Sequence, residues 1–422
     1  MDHEAEFIHS TRLPNGALVI TEAMPGIESV AFGLWADAGS ADEDPAKFGV
    51  GHFLEHMLFK GTEQRSAYAL AEAIEDVGGQ LNAYTEQEIT HIYARVLAED
   101  LPVAVDLLAD MLCRSAFPPS ELERERQVII EEIRKYDAQP DERINDLMMA
   151  GLWQDGGLGH PILGNVASVS AITRADLLTG WRQHFAADRV LITAVGAIEH
   201  DRLVEMTAAA FAELPPSSSL PAVPLGTQVP LIIESEDSEQ VNFCWGGRSY
   251  SAGDARNFPL AILDATLGSS TTSRLFQEIR EKRGLAYDIG SDVVGFRQTG
   301  LVCATGATSP DTFDEVLALV KREIDGLYHN GITPKELARA KEQMKVGLAL
   351  SLEGTLERMR RLATHQFTWH KIYTLRYLID RLNAVTMEEV EQVIAETLDT
   401  RQWTFTAIGP VDEGRVKGII GG

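Results

Sequence analysis

At 422 residues the chain exceeds one ordinary hydrophobic core and predicts two or three domains, most simply two of about 200 residues each. Its composition, 45% hydrophobic and 24% charged, is that of a folded globular protein and excludes an intrinsically disordered chain. Sixty-three acidic side chains against 37 basic ones give a formal charge of -26, which repels phosphate backbones and anionic lipid headgroups; no nucleic acid and no membrane is expected as a partner, whereas cationic ligands are attracted.

Three widely spaced cysteines, Cys113, Cys244 and Cys303, each sit among apolar residues, which argues against a disulfide framework or thiolate metal cluster and for a reducing compartment. The acidic start, Met1 to Glu6, has neither the basic and apolar pattern of a secretory signal nor the arginines of a transit peptide. Apolar runs break well before the roughly 20 residues of a membrane span. A cytoplasmic protein is expected, or a mature organellar matrix protein whose presequence has been removed.

Along the chain, residues 16–21 and 29–38 alternate as a strand pair around the turn at Pro25 and Gly26. Helical spacing follows over 46–60 and 67–77, then strands over 80–84 and 90–97, then long helices over 101–113 and 120–136. A stretch with Gly and Pro at 156–164 leads to a helix over 174–184 and an apolar strand over 190–195. The Pro- and Ser-rich run from Leu214 to Pro221 reads as a linker.

The second half of the chain repeats the first. Thr193-Ala194-Val195-Gly196-Ala197-Ile198 recurs as Thr406-Ala407-Ile408-Gly409-Pro410-Val411, and Ala171-Ile172-Thr173 as Ala384-Val385-Thr386, both 213 residues later. Pro119-Ser120-Glu121-Leu122 recurs as Pro334-Lys335-Glu336-Leu337, displaced by 215. So long a period means a duplicated domain rather than a solenoid. The expected fold class is α+β, with two domains of like topology over residues 1–213 and 229–422 and a linker over 214–228.

The chemistry-bearing pattern is Gly51-His52-Phe53-Leu54-Glu55-His56-Met57. On a helix His52, Glu55 and His56 share one face while Phe53 and Leu54 point elsewhere. Imidazoles at i and i+4 are a favoured zinc pair, and an adjacent carboxylate that is not a ligand can act as general base. This is the inverted form of the His-Glu-x-x-His arrangement of zinc peptidases. A catalytic site needs a third protein ligand and an open fourth position, and the helix over 120–136 offers Glu125, Glu131 and Glu132.

Gly51 to Thr62, Leu81-Asn82-Ala83-Tyr84-Thr85 and Glu125 to Ile133 together resemble the pitrilysin and insulin-degrading family of zinc peptidases, most closely the branch of the mitochondrial processing peptidase β subunit and its bacterial relatives. The likeness spans nearly the whole chain, and Ser273 to Phe276 with Arg280 to Tyr287 resemble the family's signature in its second domain. The resemblance implies two domains, each a mostly antiparallel sheet with helices packed on it, and a zinc endopeptidase whose first domain is catalytic. It places the third zinc ligand on Glu132 beside His52 and His56, the general base on Glu55 and an outer-sphere carboxylate on Glu125. It also implies Arg280 and Tyr287 as donors to the substrate carbonyl, and Asn82, Ala83 and Tyr84 as the edge strand that takes an extended peptide. Glu142 and Asp146 match two acids that recognise a substrate arginine, and their i, i+4 spacing suits one guanidinium. Arg143 could instead neutralise them.

No second His-x-x-Glu-His occurs, since the displaced position of His52 falls on Ala265-Thr266-Leu267, so one zinc per chain is expected. The chain has half the length of family members that close four such domains into a chamber, which implies pairing as a homodimer or with a related, catalytically inert subunit. Three activity classes stand: an endopeptidase acting on unstructured, basic or arginine-containing peptides; a non-catalytic, substrate-binding subunit of a processing-peptidase-like heterodimer; and a peptide-binding module with vestigial metal affinity. The intact His52, Glu55, His56 and Glu132 set favours the first.

Overall fold

The computed structural model describes residues 7–217 and 219–421, so the acidic start, residues 1–6, and one serine of the linker lie outside the described residues. The chain forms two compact units, and neither is contiguous in sequence. The first comprises residues 1–135, 156–225 and 350–374; the second comprises 136–155, 226–349 and 375–422.

The first unit is built on six strands: β1 (Ile8–Arg12), β2 (Leu18–Ala23), β3 (Ser29–Ala36), β4 (Gln80–Thr85), β5 (Thr90–Leu97) and β6 (Val190–Gly196), in the order β1-β2-β6-β3-β5-β4. Only the β2–β6 pair is parallel. The second unit has β7 (Leu231–Glu234), β8 (Val241–Ser249), β9 (Ala286–Gly295), β10 (Gly300–Thr308) and β11 (Thr404–Ile408), in the order β7-β11-β8-β10-β9. Again one pair, β7–β11, is parallel and the rest are antiparallel. Strand for strand, β2-β6-β3-β5-β4 and β7-β11-β8-β10-β9 have the same order and polarity, so the repeat read in the sequence is a repeat of topology; β1 is an addition to the first unit. The class is α+β, as expected.

Central strands are apolar on both faces because helices cover both sides. On β3 the alternation sends Val30, Phe32 and Leu34 into one core with Val19, Ile92 and Leu108, and Ala31 and Trp35 into another with Ile20, Val195, Met359 and Leu362. That second layer explains the discontinuity of the units. The helix Thr355–Trp369 packs on β2, β3 and β6 of the first unit, where Arg361 donates to the buried Glu22 at 3.0 Å and Arg358 pairs with the same carboxylate. Its counterpart about 215 residues earlier, the helix Pro140–Leu152, packs on β8 and β11 of the second unit. A division at the Pro/Ser run describes the repeat in sequence, whereas the apolar faces of these two helices decide which sheet each one covers.

The predicted helix over 46–60 is shorter, Val50–Leu58, because Gly49 takes a left-handed conformation (φ 93°) that starts the helix only after it. Among the described residues no helix is long and apolar enough to cross a membrane, and all three cysteines are free.

Candidate active site

The motif helix Val50–Leu58 is oriented by its apolar side: Val50, Phe53, Leu54 and Met57 are buried against Ile129, Ile130, Ile133 and Leu177. That leaves His52, Glu55 and His56 on another face, where both imidazoles meet Glu132 of the long helix Pro119–Asp137. The N-terminus is capped from the preceding loop. Gly49 has no side chain to do so, and the buried Glu43 carboxylate accepts hydrogen bonds from the Gly49 and Gly51 backbone amides at 2.6 and 2.7 Å. Gly51 is required for this approach, since a Cβ there would stand 2.7 Å from Oε1 of Glu43. Burial pushes the Glu43 carboxyl up to about 8, against the lowering effect of its backbone donors.

One ligand-capable atom from each of His52, His56 and Glu132 lies within 4.8 Å of the others. Nε2 of His56 and of His52 stand 3.5 and 3.9 Å from Oε2 of Glu132. Donor atoms around a tetrahedral ion, each about 2.1 Å away, are about 3.4 Å apart, so these groups fit such an ion with little movement. His56 donates Nδ1–H to Glu125 at 3.1 Å, which leaves its Nε2 lone pair on the Glu132 side. Glu125 is buried, and Lys60 donates to its other oxygen at 2.9 Å. Glu131 faces solvent and pairs with Arg134, so of the three candidate carboxylates on this helix Glu132 alone joins both imidazoles.

The environments of these groups differ. Burial, aided by the neighbouring His56, lowers His52 to about 4 and keeps its imidazole neutral. For His56 burial acts downward, but hydrogen bonds to Glu132 and Glu125 outweigh it and raise the pKa. The His56 contact lowers Glu132. Burial raises the Glu55 carboxyl, while Thr85 Oγ1 holds Oε2 by donating at 2.8 Å.

Thr85 ends β4, the edge strand of the sheet, which pairs only with β5 among the described strands. Asn82, Ala83 and Tyr84 lie on this strand. The Asn82 side chain is exposed and its Oδ1 accepts from the Ala83 amide at 2.9 Å. Tyr84 packs edge-on to His91, and Arg360 of the helix Thr355–Trp369 donates to its hydroxyl at 2.6 Å.

The remaining predicted site residues belong to the second unit. Arg280 lies on a π-helical turn, Phe276–Glu281, with its guanidinium 4.8 Å from the Phe276 ring centre and 4.3 Å from that of the exposed Tyr287 on β9. Glu142 and Asp146 share a face of the helix Pro140–Leu152. Arg143 does not neutralise them: it pairs with Glu236 at 3.2 Å and with Glu234 at 2.5 Å. In the topological place of the motif helix, the second unit has the helix Asn257–Leu267, which carries no histidine and whose one carboxylate, Asp264, accepts from Ser291.

Residues 18–166 match the model of the insulinase family, peptidase family M16, and residues 171–344 match that of the M16 inactive domain. The uncharacterized zinc protease YmxG of Bacillus subtilis is 35% identical over 94% of this chain and 97% of that protein. The chain belongs to peptidase family M16. A probable mitochondrial-processing peptidase subunit beta of Arabidopsis thaliana is 32% identical over 96% of the M16 chain and 78% of its own length. Two solved structures share the fold: a peptidase M16 inactive domain from Pseudomonas fluorescens, with TM-score 0.89 and 21% identity over 96% of this chain and 98% of that one, and a protease from Helicobacter pylori, with TM-score 0.86 and 20% identity over 96% and 99%.

Four residues of the site's surroundings escaped the sequence reading. Thr85 and Lys60 stood inside the quoted motifs without a role, and Lys60 carried a usable signal: it continues the i, i+4 series from His52 and His56. Glu43 and Arg360 carried none: the Glu43 carboxylate meets amides 6 and 8 residues on through the shape of an irregular loop, and Arg360 meets Tyr84 from 276 residues away.

Proposed function

We propose that the protein is a zinc-dependent endopeptidase that hydrolyses unstructured peptides and prefers basic, arginine-containing ones. The convergence of His52, His56 and Glu132 beside a Glu55 anchored to the edge strand carries this reading. Two imidazoles and a carboxylate form a donor set that zinc accepts, and one such set among the described residues predicts one zinc per chain. When bound, zinc supplies Lewis acidity, lowering the pKa of a water and polarising the scissile carbonyl. Glu55 takes the proton of the attacking water and delivers it to the leaving amine nitrogen. Glu125 keeps His56 in the tautomer that presents Nε2.

The peptide adds to the free edge of β4 along Asn82, Ala83 and Tyr84, where main-chain bonds hold an extended segment whatever its side chains. Arg280 and Tyr287 serve as donors to the substrate carbonyl oxygen; their mutual stacking supports a preformed pair. Glu142 and Asp146 bind a substrate arginine, a role left open to them by the engagement of Arg143 elsewhere. The working form is a homodimer or a heterodimer with a related subunit, in a bacterial cytoplasm or, as a mature protein, in an organellar matrix.

Glu55→Gln separates this enzyme from a non-catalytic, substrate-binding subunit. It is expected to bind zinc and peptide like the parent while kcat falls by roughly 10²- to 10⁴-fold. Cleavage that survives the substitution, or that is indifferent to chelators, sinks the reading.

A further inference from the structure

The facing groups of the motif helix and the long carboxylate helix form a ladder whose partners run in opposite chain order. Glu132 meets His52 and His56; two turns back along its own helix, Glu125 meets His56 and Lys60. Lys60 is therefore the last rung, placed at i+4 from His56 and i+8 from His52. Its backbone is fixed where the helix closes: the Phe59 and Lys60 amides donate to the His56 and Met57 carbonyls at 3.2 and 3.1 Å, and Gly61 beyond them is left-handed (φ 112°). The ammonium, on a side chain 29% exposed, reaches Oε1 of Glu125 at 2.9 Å. Glu125, with only 4% of its side chain exposed, spends one oxygen on Nδ1–H of His56 and the other on Lys60.

We propose that Lys60 is a positioning residue of the metal centre. By holding Oε1 of Glu125 it turns Oε2 toward His56 and so keeps the His56 ring aimed with Nε2 toward Glu132. This inference rests on the reading of His52, His56 and Glu132 as zinc ligands. Without the ammonium, a buried carboxylate keeps a single protein partner, and it gains by turning away toward water. The ring it steadied then loses its orientation. Loss of such an outer hydrogen-bond partner costs about 10- to 100-fold in metal affinity.

The test is zinc affinity of the full chain, measured by competition with a chromogenic chelator, for the parent, H56A, K60M and K60R. Cobalt(II) absorption spectra of the same proteins report the ligand geometry. The expected result is an affinity of K60M about 10- to 100-fold below the parent, with shifted cobalt bands and an unchanged far-ultraviolet circular dichroism spectrum, and with K60R restoring both readouts. K60Q replaces K60M if the methionine chain does not fold. Parent-like zinc affinity and cobalt spectrum in K60M, alongside lost binding in H56A, overturn the role of Lys60 alone. A parent chain that binds no zinc, or an H56A chain that binds it as the parent does, overturns the ligand assignment and this proposal with it.

Discussion

Thr85 Oγ1 donates a 2.8 Å hydrogen bond to Oε2 of Glu55, tying the candidate general base to the last residue of the edge strand β4. In the proposed mechanism substrate registration and proton transfer share this anchor. Thr85→Val keeps the shape and removes the donor. With one hydrogen bond to a carboxylate at stake, about 1.5 kcal/mol or somewhat more, kcat is expected to fall about tenfold or slightly further while KM stays near the parent value. The bond also lowers the Glu55 pKa against the upward effect of burial. Without it Glu55 deprotonates at higher pH, so the acid limb of the kcat profile moves upward. Steady-state kinetics across pH on a quenched fluorescent peptide check both; an unmoved acid limb would dissociate Glu55 from that limb.

Asp146 is half-buried, and burial pushes its carboxyl up to about 6 despite a lowering hydrogen bond from Tyr136. If it binds a substrate guanidinium, it does so only when ionised. KM for an arginine-containing peptide should therefore rise as pH falls through about 6, by about tenfold for the loss of a charge-assisted bond. A matched citrulline peptide should show no such change. Asp146→Asn should give a high and pH-flat KM for the arginine peptide, and equal KM values for the two peptides in the parent would remove Asp146 from substrate recognition.

His184, at the end of the helix Arg174–His184, is buried behind the motif helix, and its Nδ1 has no hydrogen-bond partner among the described residues. Burial lowers its pKa to about 4 from an ordinary 6.5. The folded chain thus binds this proton less readily than the unfolded one. Its contribution is complete above about pH 6.5 and is lost as pH falls toward 4, at up to about 1.4 kcal/mol per pH unit and about 3 kcal/mol in all. Unfolding free energies from urea titrations at pH 7.5 and 4.5 should fall by that much more in the parent than in His184→Gln. Equal acid sensitivity in the two proteins would contradict it.

Much of this organisation was legible in one dimension because its causes are local or repeated. The His52, Glu55, His56 face follows from helical spacing, and the apolar residues between them bury the other side of the same nine-residue helix. The constant displacement between halves announced two domains of like topology, and the matching strand orders of the two sheets are its physical content. Choosing among Glu125, Glu131 and Glu132 needed more than spacing. All three lie on one helix, and the angular position of that helix against the motif helix sends Glu132 to both imidazoles, Glu125 to the outer nitrogen of His56, and Glu131 to solvent.

Residue pattern by itself determined the class of fold, the duplicated architecture and the two-histidine, one-base side of the site, since each depends on periodicity within a single element. Only the tertiary structure decided that Glu43 caps the motif helix, that Thr85 holds the base, that Lys60 closes the ladder through Glu125, and that one helix from each half covers the sheet of the other half. Apart from the Glu43 cap, which spans a loop of 6 to 8 residues, these contacts join residues far apart in the chain. Their partners are chosen by which apolar surfaces can be buried together, and no periodicity within either segment records that choice.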